Sequence, residues 1–68
     1  MIYEPLPEIL TKGMKIACPK WYEHPEVVEI VKLDTYGRVR LRRENGLVVW
    51  GIFTQQLLRD FDYQLAKG

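Results

Sequence analysis

The dipeptide Asn45-Gly46 constrains this chain more than any other feature, because both residues tolerate the positive φ of tight hairpin turns and β-type runs flank them. The stretch 38–53 therefore reads as two antiparallel strands, and two registers are open to it. A two-residue type I′ turn pairs Arg42 with Val49, Leu41 with Trp50, Arg40 with Gly51, Val39 with Ile52 and Arg38 with Phe53. A type I turn with Gly46 as a bulge shifts the pairing by one and sets Trp50 opposite Arg40. The first is expected, because alternation then gathers Val39, Leu41, Trp50 and Ile52 on one face. Arg38, Arg40 and Arg42 are left on the other, beside Val49 and Phe53.

A second hairpin precedes this one. Residues 27–33 are rich in β-branched side chains and read as a strand, and Asp34-Thr35-Tyr36-Gly37 suits a type I turn with Gly37 in the left-handed region. That turn pairs Leu33 with Val39, Lys32 with Arg40, Val31 with Leu41 and Ile30 with Arg42. Val31 and Leu33 then join the apolar face, while Lys32 and Ile30 join the arginines. Alternation fails over 27–29, which predicts a bulge or bend there.

The remaining elements are shorter. Residues 1–12, with Pro5 and Pro7, are expected to form an arm laid against the domain; 14–17 form a first strand ended by Pro19, and 20–25 a loop carrying Trp21 and Tyr22. Thr54 is placed to N-cap a short turn through Leu58, which Asp60 and Asp62 end. Phe61, Tyr63 and Leu65 alternate as a last strand, and 66–68 fray. The expected core is Ile16, Val28, Val31, Leu33, Val39, Leu41, Val48, Trp50, Ile52, Leu57 and Phe61. At 68 residues this is one domain, burying only about 60% of the surface its unfolded chain exposes.

Five short strands, a long loop after the first, two tight hairpins and a helical turn before the last strand make a layout that resembles SH3-like barrels, the group including Tudor, KOW and chromo-barrel domains. The resemblance rests on 13–17, 28–33, 38–41, Asn45-Gly46, Leu57-Leu58 and Tyr63. It implies an all-β fold, a five-stranded SH3-like barrel over 13–65 with one helical or 3₁₀ turn before the last strand. Tudor domains carry Asp-Tyr-Gly-Asn between their third and fourth strands. The corresponding Glu44-Asn45-Gly46 lacks the aromatic, so a methyl-lysine cage is not implied.

Charge directs the functional reading. The net charge is only +1, too small for a general polyanion coat, but residues 1–34 hold six acids and four bases while 35–68 hold six bases and three acids. On the hairpin registers Lys32, Arg38, Arg40 and Arg42 form one basic face with Phe53 beside it. Directly opposed like charges are unfavourable in a sheet, and a phosphate backbone lying across them reverses the sign. The expected function is thus a small non-enzymatic module contacting DNA or RNA, of a bacterial or phage type. The alternative is a protein-interaction adaptor or inhibitor using Trp21, Tyr22 and Tyr36, as a monomer or as a homodimer joined through edge strands.

Other chemistries find little footing. Cys18 is the only cysteine and His24 the only histidine; the pair is too small a ligand set for a metal and lacks an orienting partner for a nucleophilic dyad. The glycines are scattered singly, with no phosphate-cradling loop. No cofactor is expected. No apolar run approaches the ~20 residues of a membrane span, and one unpaired cysteine suggests a cytoplasmic address.

Overall fold

The computed structural model describes residues 1–49 and 53–68. The expected pairing of Leu41 with Trp50, Arg40 with Gly51 and Val39 with Ile52, and the core roles of Trp50 and Ile52, lie outside the described residues. The elements in chain order are β1 (Ile2–Pro5), β2 (Lys15–Ala17), β3 (Val28–Leu33), β4 (Val39–Arg42), β5 (Val48–Val49), α1 (Gln55–Asp60) and β6 (Gln64–Lys67). Among the described residues the fold is all-β apart from that one short helix, and six antiparallel strands form a single open sheet in the order β1-β6-β2-β3-β4-β5.

The strand beyond the expected five comes from the segment read as an arm. Tyr3 pairs with Ala66 and Glu4 with Leu65, so β1 forms an edge of the sheet. Pro5 is tolerated there because an edge strand need not donate on both sides. The same pairing extends the last strand to Ala66 and Lys67.

The turn 34–37 forms as its sequence suggests. Gly37 adopts φ 79°, its N–H donates to Asp34 O at 3.2 Å, and Leu33 pairs with Val39 and Lys32 with Arg40. Beyond Lys32 the register shifts, so Ile30 pairs with Leu41 and Glu29 with Arg42. This corrects both the expected pairing and the expected bulge position. Val28, Ile30 and Leu33 all belong to the apolar side, and strict alternation cannot put residues of both parities there. One inserted residue at Val31 resolves the conflict, burying Ile30 completely and leaving Val31 half-buried.

The Asn45-Gly46 turn takes the second of its two registers. Gly46 N–H donates to Arg43 O at 2.9 Å, Arg43 N–H donates to Leu47 O at 2.8 Å, and Gly46 has φ 89°. Among the described residues the only non-glycine with positive φ is Asp62, so Asn45 does not adopt the left-handed conformation that a type I′ turn needs. Arg42 accordingly pairs with Val48 and Leu41 with Val49. Val49 joins the apolar side, and Val48, expected in the core, is exposed beside Arg42.

Helix α1 starts where Thr54 Oγ1 accepts the Leu57 N–H at 3.0 Å. It ends in a Schellman arrangement: Tyr63 N–H donates to Leu58 O and Asp62 N–H to Arg59 O, with Asp62 at φ 61° where glycine is commoner. This phase buries Leu58, leaves Leu57 half-buried and puts Phe61 at the exposed cap, so two expected core positions move outward. The core consists of Leu10, Ile16, Val28, Ile30, Val39, Leu41 and Leu58, with Leu6, Met14, Leu33, Phe53 and Tyr63 packed against it. Arg59 Nη2 donates to the carbonyls of Pro7 and Glu8, fastening the segment after β1 onto the helix.

Candidate functional site

The outer face of the sheet carries the charge. One row across the strands runs Lys15, Glu29, Arg42, Val48, and the next sets Lys32 against Arg40. Arg38, at the entry to β4, continues the line of Arg40 and Arg42 toward the 34–37 turn, where Asp34 lies. Five cations against two acids leave this face three charges positive, and the remainder of a chain of net +1 is then two negative. The bulge at Val31 created part of this pattern, because the expected neighbour of Arg42 was Ile30 and the actual one is Glu29.

Arg38 and Arg42 have acidic partners. Arg38 Nε lies 3.0 Å from Asp34 Oδ2, and Arg42 Nη1 lies 3.7 Å from Glu29 Oε1. The Arg38 backbone N–H, then the Tyr36 N–H and the Arg38 guanidinium, hold the Asp34 carboxyl below the usual carboxylate range. Both ion pairs are solvent-exposed and readily exchanged for another anion. Lys32 is exposed and has no acid within salt-bridge distance among the described residues.

Phe53 is not part of this face. Thr54, and not Phe53, lies opposite Arg38, and Phe53 O accepts the Val39 N–H at 2.8 Å, so its ring sits on the core side. Val49 is displaced to the same side by the register of the second hairpin. The basic face thus keeps its four predicted cations and loses both predicted apolar neighbours.

The three aromatics of the alternative site separate. Trp21 and Tyr22 are 61% and 64% exposed and line a groove of about 600 Å³ with Cys18, Phe53, Phe61 and Tyr63. Phe61, expected in the core, and Tyr63, expected only as a strand residue, both contribute to this groove. Tyr36 is not among the residues lining the groove. It is 81% exposed at the tip of the β3–β4 hairpin, with the Arg38 guanidinium 5.7 Å from its ring centroid, and so belongs to the end of the basic face.

The loop that presents Trp21 and Tyr22 is fixed at both ends. Near its start Cys18 Sγ donates to Phe61 O at 2.9 Å and Lys20 Nζ lies 2.8 Å from Asp62 Oδ2. Near its finish the Glu26 carboxylate accepts Arg43 Nε, Arg43 Nη2 and the Glu44 N–H, while Val27 N–H donates to Glu44 Oε1. The Arg43 guanidinium, followed by the Glu44 N–H, pulls the Glu26 carboxyl below its ordinary range. Burial pushes the Cys18 thiol up, which favours its protonated form, and among the described residues no cluster of three potential metal ligands occurs. No described helix is long and apolar enough to cross a membrane. No family model, curated protein or solved structure matches the chain.

Proposed function

We propose that the chain is a small non-enzymatic binding module, built as an SH3-like barrel, that contacts the phosphate backbone of a nucleic acid through the outer face of β3 and β4. The barrel reading is supported by the layout of β2–β6: five short strands, a long loop after β2, two tight hairpins, a helix before β6, and pairing of β6 with β2. The observation that carries the functional reading is the direct opposition of Lys32 and Arg40, with Arg38 and Arg42 in line along β4. Such an arrangement is unfavourable in isolation and becomes favourable when phosphates lie across it.

The test is a titration with labelled oligonucleotides at two salt concentrations. Four neutralised phosphates give a log–log salt slope of about −2.8 for a single strand to −3.6 for a duplex, so a fourfold rise in salt weakens binding about 50- to 150-fold. Arg40→Ala combined with Arg42→Ala abolishes the interaction on this reading. Binding that survives the double substitution, or that ignores salt, defeats it.

A second reading is favoured by the exposed rings of Trp21, Tyr22 and Phe61 around one groove: a protein contact anchored by aromatic side chains. Such a contact is largely indifferent to salt and is lost in Trp21→Ala, not in the arginine variants.

A further inference from the structure

The geometry points to single-stranded nucleic acid as the ligand of the basic face, with Tyr36 stacking on an unpaired base where the cation line ends. This rests on the phosphate-binding reading above and specifies which polymer the face takes. Arg40 and Arg42 alternate along β4 and Arg38, bridged to Thr54, continues the alternation just before it, which spaces them at roughly 6.7 Å intervals in a nearly straight track. The track leads to the Tyr36 ring, 81% exposed, with the Arg38 guanidinium 5.7 Å from its centroid.

The tip is prepared for this role before any ligand arrives. Asp34 Oδ1 accepts the N–H groups of Tyr36 and Arg38, Asp34 Oδ2 accepts Arg38 Nε, and Gly37 supplies the left-handed residue that closes the turn. The backbone of Tyr36 is therefore held, while its ring projects into solvent. The Arg38 guanidinium is held through Nε; its Nη1 and Nη2 make no hydrogen bond among the described residues and are placed to take a phosphate. One end of the face thus offers a π surface and a phosphate donor side by side.

Duplex bases have no use for that ring, because their faces are already covered by their neighbours. An unpaired base presents a free face, and stacking it on an aromatic side chain is the common device of proteins that hold single strands. Of the two acids on the face, Asp34 at the tip keeps its charge but is paired with the Arg38 guanidinium, and Glu29 lies at the far end beside Arg42.

The experiment compares an oligothymidylate of roughly ten nucleotides with a duplex of the same length, by fluorescence anisotropy at low and physiological salt. Wild type, Tyr36→Ala, Tyr36→Phe and Arg40→Ala are measured, with circular dichroism confirming that each is folded. The single strand binds more tightly than the duplex. Tyr36→Ala weakens the single strand about 5- to 100-fold and moves the duplex less than twofold, while Tyr36→Phe keeps the preference. A duplex preference, or a Tyr36→Ala effect that is absent or equal for both polymers, overturns the inference. The phosphate-face reading then still stands if Arg40→Ala weakens both polymers. No binding of either polymer at low salt overturns both.

Discussion

The bulge at Val31 decides which side chains reach the basic face, and a pair of adjacent substitutions tests it. Ile30 is fully buried against the core, so Ile30→Ala removes roughly three carbons from an enclosed site. At about 0.8 kcal/mol for each buried methylene, with the cavity left behind added, the loss is about 3–4 kcal/mol. Val31 is half-buried, and Val31→Ala costs less than about 1 kcal/mol. A domain of this size has about 3–10 kcal/mol in total, and each kcal/mol moves its melting temperature by about 4–8 °C. The two variants therefore melt roughly 10–20 °C apart, with Ile30→Ala the lower. Thermal and urea unfolding followed by circular dichroism measure this directly. If Ile30→Ala fails to fold, Ile30→Val, at about 1 kcal/mol, replaces it and is set against Val31→Ile, whose added methyl projects from a half-exposed position at little cost. A larger loss at Val31 than at Ile30 would restore unbroken alternation, remove Glu29 from its place opposite Arg42 and refute the description of the face.

Three further outcomes are expected. Thr54→Ala removes the acceptor for the Leu57 N–H and costs about 1 kcal/mol in urea unfolding, whereas Thr54→Ser retains most of it. Gly46→Ala places a side chain at φ 89° where nothing lies within 4 Å, so its cost of about 1 kcal/mol is conformational and not steric; equal stability of the two proteins contradicts the assigned turn. Glu26 has a lowered pKa in the folded state, so its contribution is present above the ordinary carboxylate range and is lost as pH falls through the folded value. Urea midpoints between about pH 6 and pH 3 should therefore fall more steeply for the wild type than for Glu26→Gln, and parallel curves would show that the Arg43 contact contributes nothing.

Where the sequence was informative, a local cause was at work. The 34–37 turn was legible because Asp34 and Gly37 supply its acceptor and its left-handed residue within four positions. Thr54 was legible as a cap for the same reason. The Asn45-Gly46 turn was legible as a turn but not in its type, since Asn-Gly serves both registers. Glu26, nearly twenty positions upstream, grips Arg43 and the Glu44 N–H, a tertiary contact that no local pattern displays. Val28, Ile30, Val31 and Leu33 are all apolar, and between the polar Glu29 and Lys32 the adjacent pair Ile30-Val31 does not reveal which of the two is the inserted residue. Leu57 and Leu58 offered one helical turn, too short to fix a phase. For the basic face, the four cations followed from strand alternation, while the loss of Phe53 and Val49 followed from registers set elsewhere. The groove with Phe61 and Tyr63 depends on Cys18 reaching the Phe61 carbonyl across most of the chain, which a linear reading had no means to find.

The antiparallel pairing of β1 with β6 joins strands from opposite ends of the described chain, whereas β3, β4 and β5 are joined by tight turns. Closing a long loop costs conformational entropy before any contact is gained, so contacts of this separation slow folding and form late. The β3–β5 meander carries all four cations of the basic face and can assemble from local contacts. The basic face is thus built on the quick-forming part of the molecule, and the β1–β6 edge acts as a late fastening, whose loosening governs how often the chain opens more than how soon the face appears.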